Sequence, residues 1–183
     1  MKLFNENLKK ADYFSAGLIA VTIILRLVEL RSINIYAKID AIMCVISLLF
    51  GIIYILNGHS KNVAKDYKMF MLFYAISTLF AVMVPSLDLV NGRSGLPLYA
   101  AIVIDLATSI CAFVLAFGKD LGHKKSILFV LVALFVSVIK LFINTIDLDL
   151  SHSIPTIAHL MQAIIAYLFV SAKYEDKEAR GTK

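Results

Sequence analysis

The chain has 183 residues, 60% of them hydrophobic, with a net charge of +5 and a mean hydropathy of +0.84. A soluble domain of this length carries about 45–50% apolar residues; here the excess falls in long uninterrupted runs, which excludes a water-soluble globule and makes lipid the solvent for most of the surface. The basic residues are scattered through short connections, so the charge reads as an orientation signal and not as a nucleic-acid footprint.

Residues 1–10 are polar and basic and lack the apolar core and small-residue cleavage site of a removable signal peptide. Six apolar runs follow, at about residues 12–30, 35–56, 69–87, 96–118, 126–146 and 154–172. Each is close to the roughly 20 residues that a helix needs to cross about 30 Å of hydrocarbon. Ser94, Gly95 and Pro97 open the fourth run, and Ser153 and Pro155 open the sixth. Asn57-Gly58 closes the second, Gly118 closes the fourth, and Pro85 is placed to kink or end the third. The predicted fold is all-α: a single transmembrane domain, residues 1–183, built as a six-helix bundle with antiparallel neighbours. Cys44 and Cys111 fall inside apolar runs and read as small buried residues, with no disulfide or zinc site implied.

Orientation follows from the loops. Lys2, Lys9 and Lys10 precede the first run; Lys61, Lys65 and Lys68 lie in the second loop; Lys119, Lys124 and Lys125 lie in the fourth; Lys173, Lys177, Arg180 and Lys183 fill the tail. The alternate loops hold only Arg31 and Arg93, and the fifth has Asp147 and Asp149 instead. The positive-inside rule then predicts both termini in the cytoplasm, and the plasma membrane is the expected location. The mixed charges of the tail read as the solvated end of the last helix.

With that threading, each polar residue inside a run acquires a depth. At about 1.5 Å per residue, Arg26 lies roughly 6 Å below the outer boundary, Asp40, Lys140 and His159 roughly 8–9 Å, and Gln162 and Asp105 roughly 12–14 Å. The inner halves of the same runs are almost wholly apolar, as in 113–117, 127–135 and 164–170. Helical spacing also gathers the polar residues into faces: Thr22, Arg26 and Glu29 on the first helix; Tyr36, Asp40, Cys44 and Ser47 on the second; Asp105, Thr108 and Ser109 on the fourth; Ser137, Lys140, Asn144 and Asp147 on the fifth; His152, Thr156, His159 and Gln162 on the sixth. Lipid is a poor neighbour for any of them, so they are expected to face the bundle interior and line a pocket open to the outside. The third helix offers Tyr74, Ser77 and Thr78, deeper in the membrane.

Each candidate has a plainer reading beside the functional one. Arg26 and Glu29 can pair on their own helix. Asp40, like Lys38, can be solvated near the boundary. Lys140 can snorkel outward or pair with Asp147. His159 and Gln162 can act as hydrogen-bonding glue between helices. Asp105 is the deepest carboxylate and has no charged neighbour on its own helix; it must be protonated, hydrated, or paired with Arg26 or Lys140. Ala16, Gly17 and Ala20 make a small-residue patch that lets a second helix approach closely, for internal packing first, or for a partner chain or a second copy. No catalytic, nucleotide-binding or metal motif is present, and no cofactor is implied.

No motif assigns a family. In architecture the chain is similar to the substrate-binding membrane subunits of energy-coupling-factor vitamin transporters, which also have about six helices, an outer-half pocket, and small residues on the first helix that meet a coupling subunit. That likeness implies a transporter, or a transporter subunit, taking a polar or zwitterionic small molecule from outside. Asp105 would hold a cationic group and Arg26 and Lys140 anionic ones, with Asp40, Asn144, His159 and Gln162 around them and Ala16 and Ala20 on the partner side. The alternatives are a non-transporting protein whose ion pairs support assembly with a partner, and an intramembrane enzyme acting on lipid.

Overall fold

The computed structural model describes residues 10–57, 63–118, 121–146 and 150–181. Six helices follow one another: α1 (Lys10–Glu29), α2 (Ile35–Asn57), α3 (Val63–Val90), α4 (Leu96–Phe117), α5 (His123–Ile146) and α6 (Leu150–Gly181). Five of them contain segments long and apolar enough to cross a membrane: Ile35–Asn57, Lys65–Val90, Leu96–Phe117, His123–Thr145 and Ser153–Ser171. α1 is the exception, with Asp12 in its first turn and Arg26 in its last.

Each helix packs on its neighbours in the chain, α1 also packs on α6 to close the ring, and α3 meets α6 across the middle. Short connections between chain neighbours impose this antiparallel order. Large apolar side chains are exposed all around the ring, among them Ile24 and Leu27 on α1, Val103 and Ile110 on α4, and Leu128, Phe135 and Phe142 on α5. Their three-to-four and seven-residue spacings place them on one outward face per helix. Contiguous apolar surface on this scale fits a lipid surround, not water.

The helix ends show where turn chemistry overrides the hydrophobic pattern. Pro85 lies inside α3 and does not end it. A proline removes only its own N–H bond, and the helix continues until Gly92 takes a φ of +84°. There Arg93 N–H donates to Asp88 O at 3.0 Å and Gly92 N–H donates to Leu89 O at 3.1 Å, the paired bonds of a Schellman stop. Pro155 likewise lies inside α6, which starts at Leu150, four residues ahead of the expected boundary, and runs on to Gly181. Asn34 caps α2, its Oδ1 accepting from Tyr36 N–H at 2.9 Å.

The core divides by depth. Towards the end carrying the α2–α3 and α4–α5 connections it is apolar and aromatic. Phe169 of α6 packs on Tyr54 of α2 and Phe70 of α3, with ring centroids 4.4 and 5.2 Å apart. Gly51 allows this approach: a Cβ there would stand 3.3–3.4 Å from Ile19, Phe70 and Phe169. Tyr54 Oη donates to Phe169 O at 3.3 Å, and Ser47 Oγ to Phe70 O at 2.8 Å. Cys44 and Cys111 are buried free thiols.

The patch on α1 is not internal packing. Ala16, Gly17 and Ala20 are all exposed, and nothing lies within 4 Å of where a Gly17 Cβ would stand. The inward face of α1 is instead Ser15, Ile19, Thr22 and Arg26, a regular three-to-four spacing that turns residues 16, 17 and 20 outward.

Candidate functional site

The opposite end of the bundle, with the α1–α2, α3–α4 and α5–α6 connections, is polar. The polar faces of the helices point inward as expected: Thr22, Arg26, Asp40, Asp105, Thr108, Ser109, Ser137, Lys140, Asn144, Thr156, His159 and Gln162 are all buried, as is Ser47 nearer the aromatic end. Asp147, Asp149 and the side chain of His152 lie outside the described residues, as do Lys2, Lys9, Lys61 and Lys119.

Asp40 is the hub of the first charged cluster. Its Oδ2 accepts from Arg26 Nη1 at 3.0 Å, and its Oδ1 lies 3.1 Å from His159 Nε2 and accepts from Ser77 Oγ. Arg26 Nη1 also donates to Glu29 one turn along α1. Four helices thus converge on one carboxylate that is only 2% exposed. The expectation that Asp40 is solvated near the boundary is overturned: the last turn of α1 sits directly against it and supplies the guanidinium that makes its burial tolerable. The expected contribution from α3 also changes, since Ser77 is not merely a deeper polar residue but a direct donor to Asp40.

The second cluster is a single pair. Lys140 Nζ on α5 lies 2.7 and 2.6 Å from the two oxygens of Asp105 on α4. Lys140 therefore does not snorkel outward. The two clusters adjoin, because Glu29 is within electrostatic reach of Lys140 and His159 within reach of Asp105. Beside them Asn144 Nδ2 donates to Thr156 Oγ1 at 2.8 Å and ties α5 to α6.

A cavity of about 500 Å³ opens above these groups. Asp40, Lys140 and Asn144 line it; Arg26, Asp105 and His159 stand behind the wall as partners of the lining residues. Gln162 is fully buried, and among the described residues neither its Oε1 nor its Nε2 has a hydrogen-bond partner. Asp105 itself does not line the cavity, whereas Lys140, its partner, does. The remaining wall includes Glu29, Ser32, Asn34, Asp88 and Arg93, and apolar residues such as Ala81, Val84, Pro85, Leu98 and Pro155. The sequence pattern puts Glu29 on a polar stripe and Asp88 and Arg93 in a connection. The Asn91-Gly92 turn was the available signal, since a helix stop there carries both back over the mouth, where they form a rim pair at 3.6 Å.

Compared with protein-family models, with curated proteins and with solved structures, the chain matches none. The likeness to energy-coupling-factor subunits accordingly rests on helix number and the placement of polar residues.

The chemistry open to the site follows from its contacts. Ser77, His159 and Asp40 adjoin one another, yet Ser77 and Asp40 both meet His159 at Nε2, and His159 Nδ1 has no partner among the described residues. A nucleophile relay needs the acid and the hydroxyl on opposite ring nitrogens. Among the described residues no three His, Cys, Asp or Glu side chains are grouped to hold a metal ion. What the arrangement offers is a concave, mixed-charge surface of small-molecule size, backed by compensated ion pairs.

Proposed function

We propose that this is an integral membrane protein of six crossing helices, both termini cytoplasmic, that binds a polar small molecule in an outward-facing cavity, as a transporter or as the substrate-binding subunit of one. The observation that carries the reading is the cavity of about 500 Å³ whose wall joins Glu29, Asp40 and Lys140 at one end of an otherwise apolar bundle. Its volume falls in the usual range for small-ligand sites, roughly 300–1,000 Å³. The alternation of Lys and Arg between loops supports an outward opening. α1 completes the ring between α2 and α6 and supplies Arg26, which supports counting it as a sixth crossing despite its charges.

Two measurements test this. In intact cells carrying a background without Cys44 and Cys111, a membrane-impermeant thiol reagent should label Arg93→Cys and leave Lys124→Cys unlabelled; the reverse pattern refutes the orientation. In detergent, a panel of small polar metabolites should contain compounds that raise thermal stability, by about 2.7 kcal/mol at a hundredfold excess over Kd. A complete lack of shift across a broad panel removes the binding reading.

One observation favours the non-transporting alternative. Lys140 and Asp105 neutralise each other, as does much of the Arg26–Asp40 contact, so these residues also serve assembly of the bundle. The cavity wall is what this alternative leaves without a role.

A further inference from the structure

The charges behind the cavity do not balance. Glu29 and Asp40 share a single cation, Arg26, through the same nitrogen Nη1, while Asp105 has Lys140 to itself. At the rim Asp88 pairs with Arg93. With His159 neutral, the described residues of the cavity wall and their direct partners therefore hold one excess negative charge, located at Glu29 and Asp40. Arg31 and Lys38 belong to the same end, but neither lines the cavity. Glu29 has a second mark of a ligand site. Its side chain is 9% exposed, it lines the cavity, and its Oε1 is buried with no hydrogen-bond partner among the described residues. A buried carboxylate oxygen in that condition is costly unless a donor reaches it.

We propose that the ligand is a monovalent organic cation, a protonated primary or secondary amine with a small apolar body, whose ammonium sits against Glu29 beside Asp40, and that a proton on His159 is its competitor. The proposal rests on the binding reading above and names its ligand class. An ammonium supplies the charge and the N–H donors that Glu29 lacks. Among the described residues no aromatic side chain lines the cavity, so a quaternary ammonium finds there neither a donor-matched partner nor a cation–π cage. Ala81, Val84, Pro85 and Leu98 give the apolar body its wall.

Protonated His159 would bring the same missing charge from inside. The groups facing its ring are Asp40 from α2, Arg26 from α1, Ser77 from α3 and Asp105 from α4, and Tyr74 Oη donates to its backbone carbonyl at 3.4 Å. Once His159 is charged, the wall is neutral and the attraction for an amine is lost. The same site can thus exchange an amine for a proton.

The test uses the purified full-length protein in detergent and a panel of primary amines from methylamine to cyclohexylamine, each with its matched alcohol and carboxylate, read by thermal shift and calorimetry. Amines should bind and their matched alcohols and carboxylates should not. Glu29→Gln should weaken amine binding by about tenfold or more, the loss of one charge-assisted contact. Should that variant fold poorly, Arg93→Gln, which removes an exposed rim cation, should strengthen amine binding by a few-fold. Affinity should fall as the pH is lowered and His159 takes up its proton, and His159→Gln should flatten that profile. Binding of the carboxylates or alcohols in preference to amines overturns the proposal and leaves the cavity reading intact; binding of neither these nor any wider panel member overturns both. An unchanged pH profile in His159→Gln overturns the exchange with a proton.

Discussion

The two ends of the bundle are made of the same six helices and face the same surround, yet they are held by different forces. At the aromatic end Tyr54, Phe70 and Phe169 fill the space between α2, α3 and α6, and the polar contacts are single neutral hydrogen bonds such as Ser47 to the Phe70 carbonyl. At the cavity end each inward charge is a liability that only a specific partner removes. Lipid tails are as apolar as leucine, so the aromatic end gains mainly from close packing. The lesson is one of tolerance: packing degrades gradually as atoms are removed, whereas a compensated ion pair fails when either half is lost.

Single substitutions at the charged end should therefore have the largest effects. Asp105→Asn leaves Lys140 buried without its carboxylate and should cost about 3–5 kcal/mol, measured by denaturant or thermal unfolding in detergent. Replacing the pair together, Asp105→Leu with Lys140→Leu, should recover most of that loss, since a well-packed apolar pair is often as stable as a buried ion pair. If the single and double variants were equally unstable, the pair would not be what the charge at either position is for. Asp40→Asn should fall in the same range of about 3–5 kcal/mol, because Arg26, His159 and Ser77 all lose the same acceptor charge. At the aromatic end, Phe169→Ala should cost less, about 2–3 kcal/mol, below the ~3–5 kcal/mol of a water-soluble core, because no transfer from water is involved.

The aromatic end was the more legible of the two in the sequence. Long apolar runs gave the helices and their order, and three-to-four spacing gave the inward faces of Arg26, Asp40, Lys140 and His159. Spacing along one helix says nothing about which residue on another will meet it. Asp105 was open to Arg26 or to Lys140, and the choice came only when α4 was packed on α5. Asp40 looked shallow enough to be solvated because depth was counted along α2 alone, without the last turn of α1 that covers it. Pro85 drew attention as a helix stop, although Asn91-Gly92 carried the stronger signal, a residue able to take positive φ. For the α1 patch of Ala16, Gly17 and Ala20 only the internal-packing reading fails, because small residues suit close packing on any face; Ser15, Ile19 and Thr22 show which face the bundle uses.

The smallest predicted effects sharpen the comparison most, because two serines differ in little but their acceptors. Ser47 and Ser77 are both fully buried, and each donates across to a neighbouring helix. Ser47 donates to a backbone carbonyl that keeps its own helical bond. Ser47→Ala should cost only about 0.6 kcal/mol, the average for an interhelical hydrogen bond in a membrane bundle. Ser77 donates to the Asp40 carboxylate, and the hydroxyl is one of the few groups offsetting a charge that two carboxylates share through one arginine. Ser77→Ala should cost about 1.5–3 kcal/mol, the range for a hydrogen bond to a charged group. Measured in one detergent by unfolding, the ratio of the two losses reports how far Asp40 is a charge in the folded protein. Equal losses would mean that Asp40 holds its proton and that the cavity end has no excess negative charge to offer an amine.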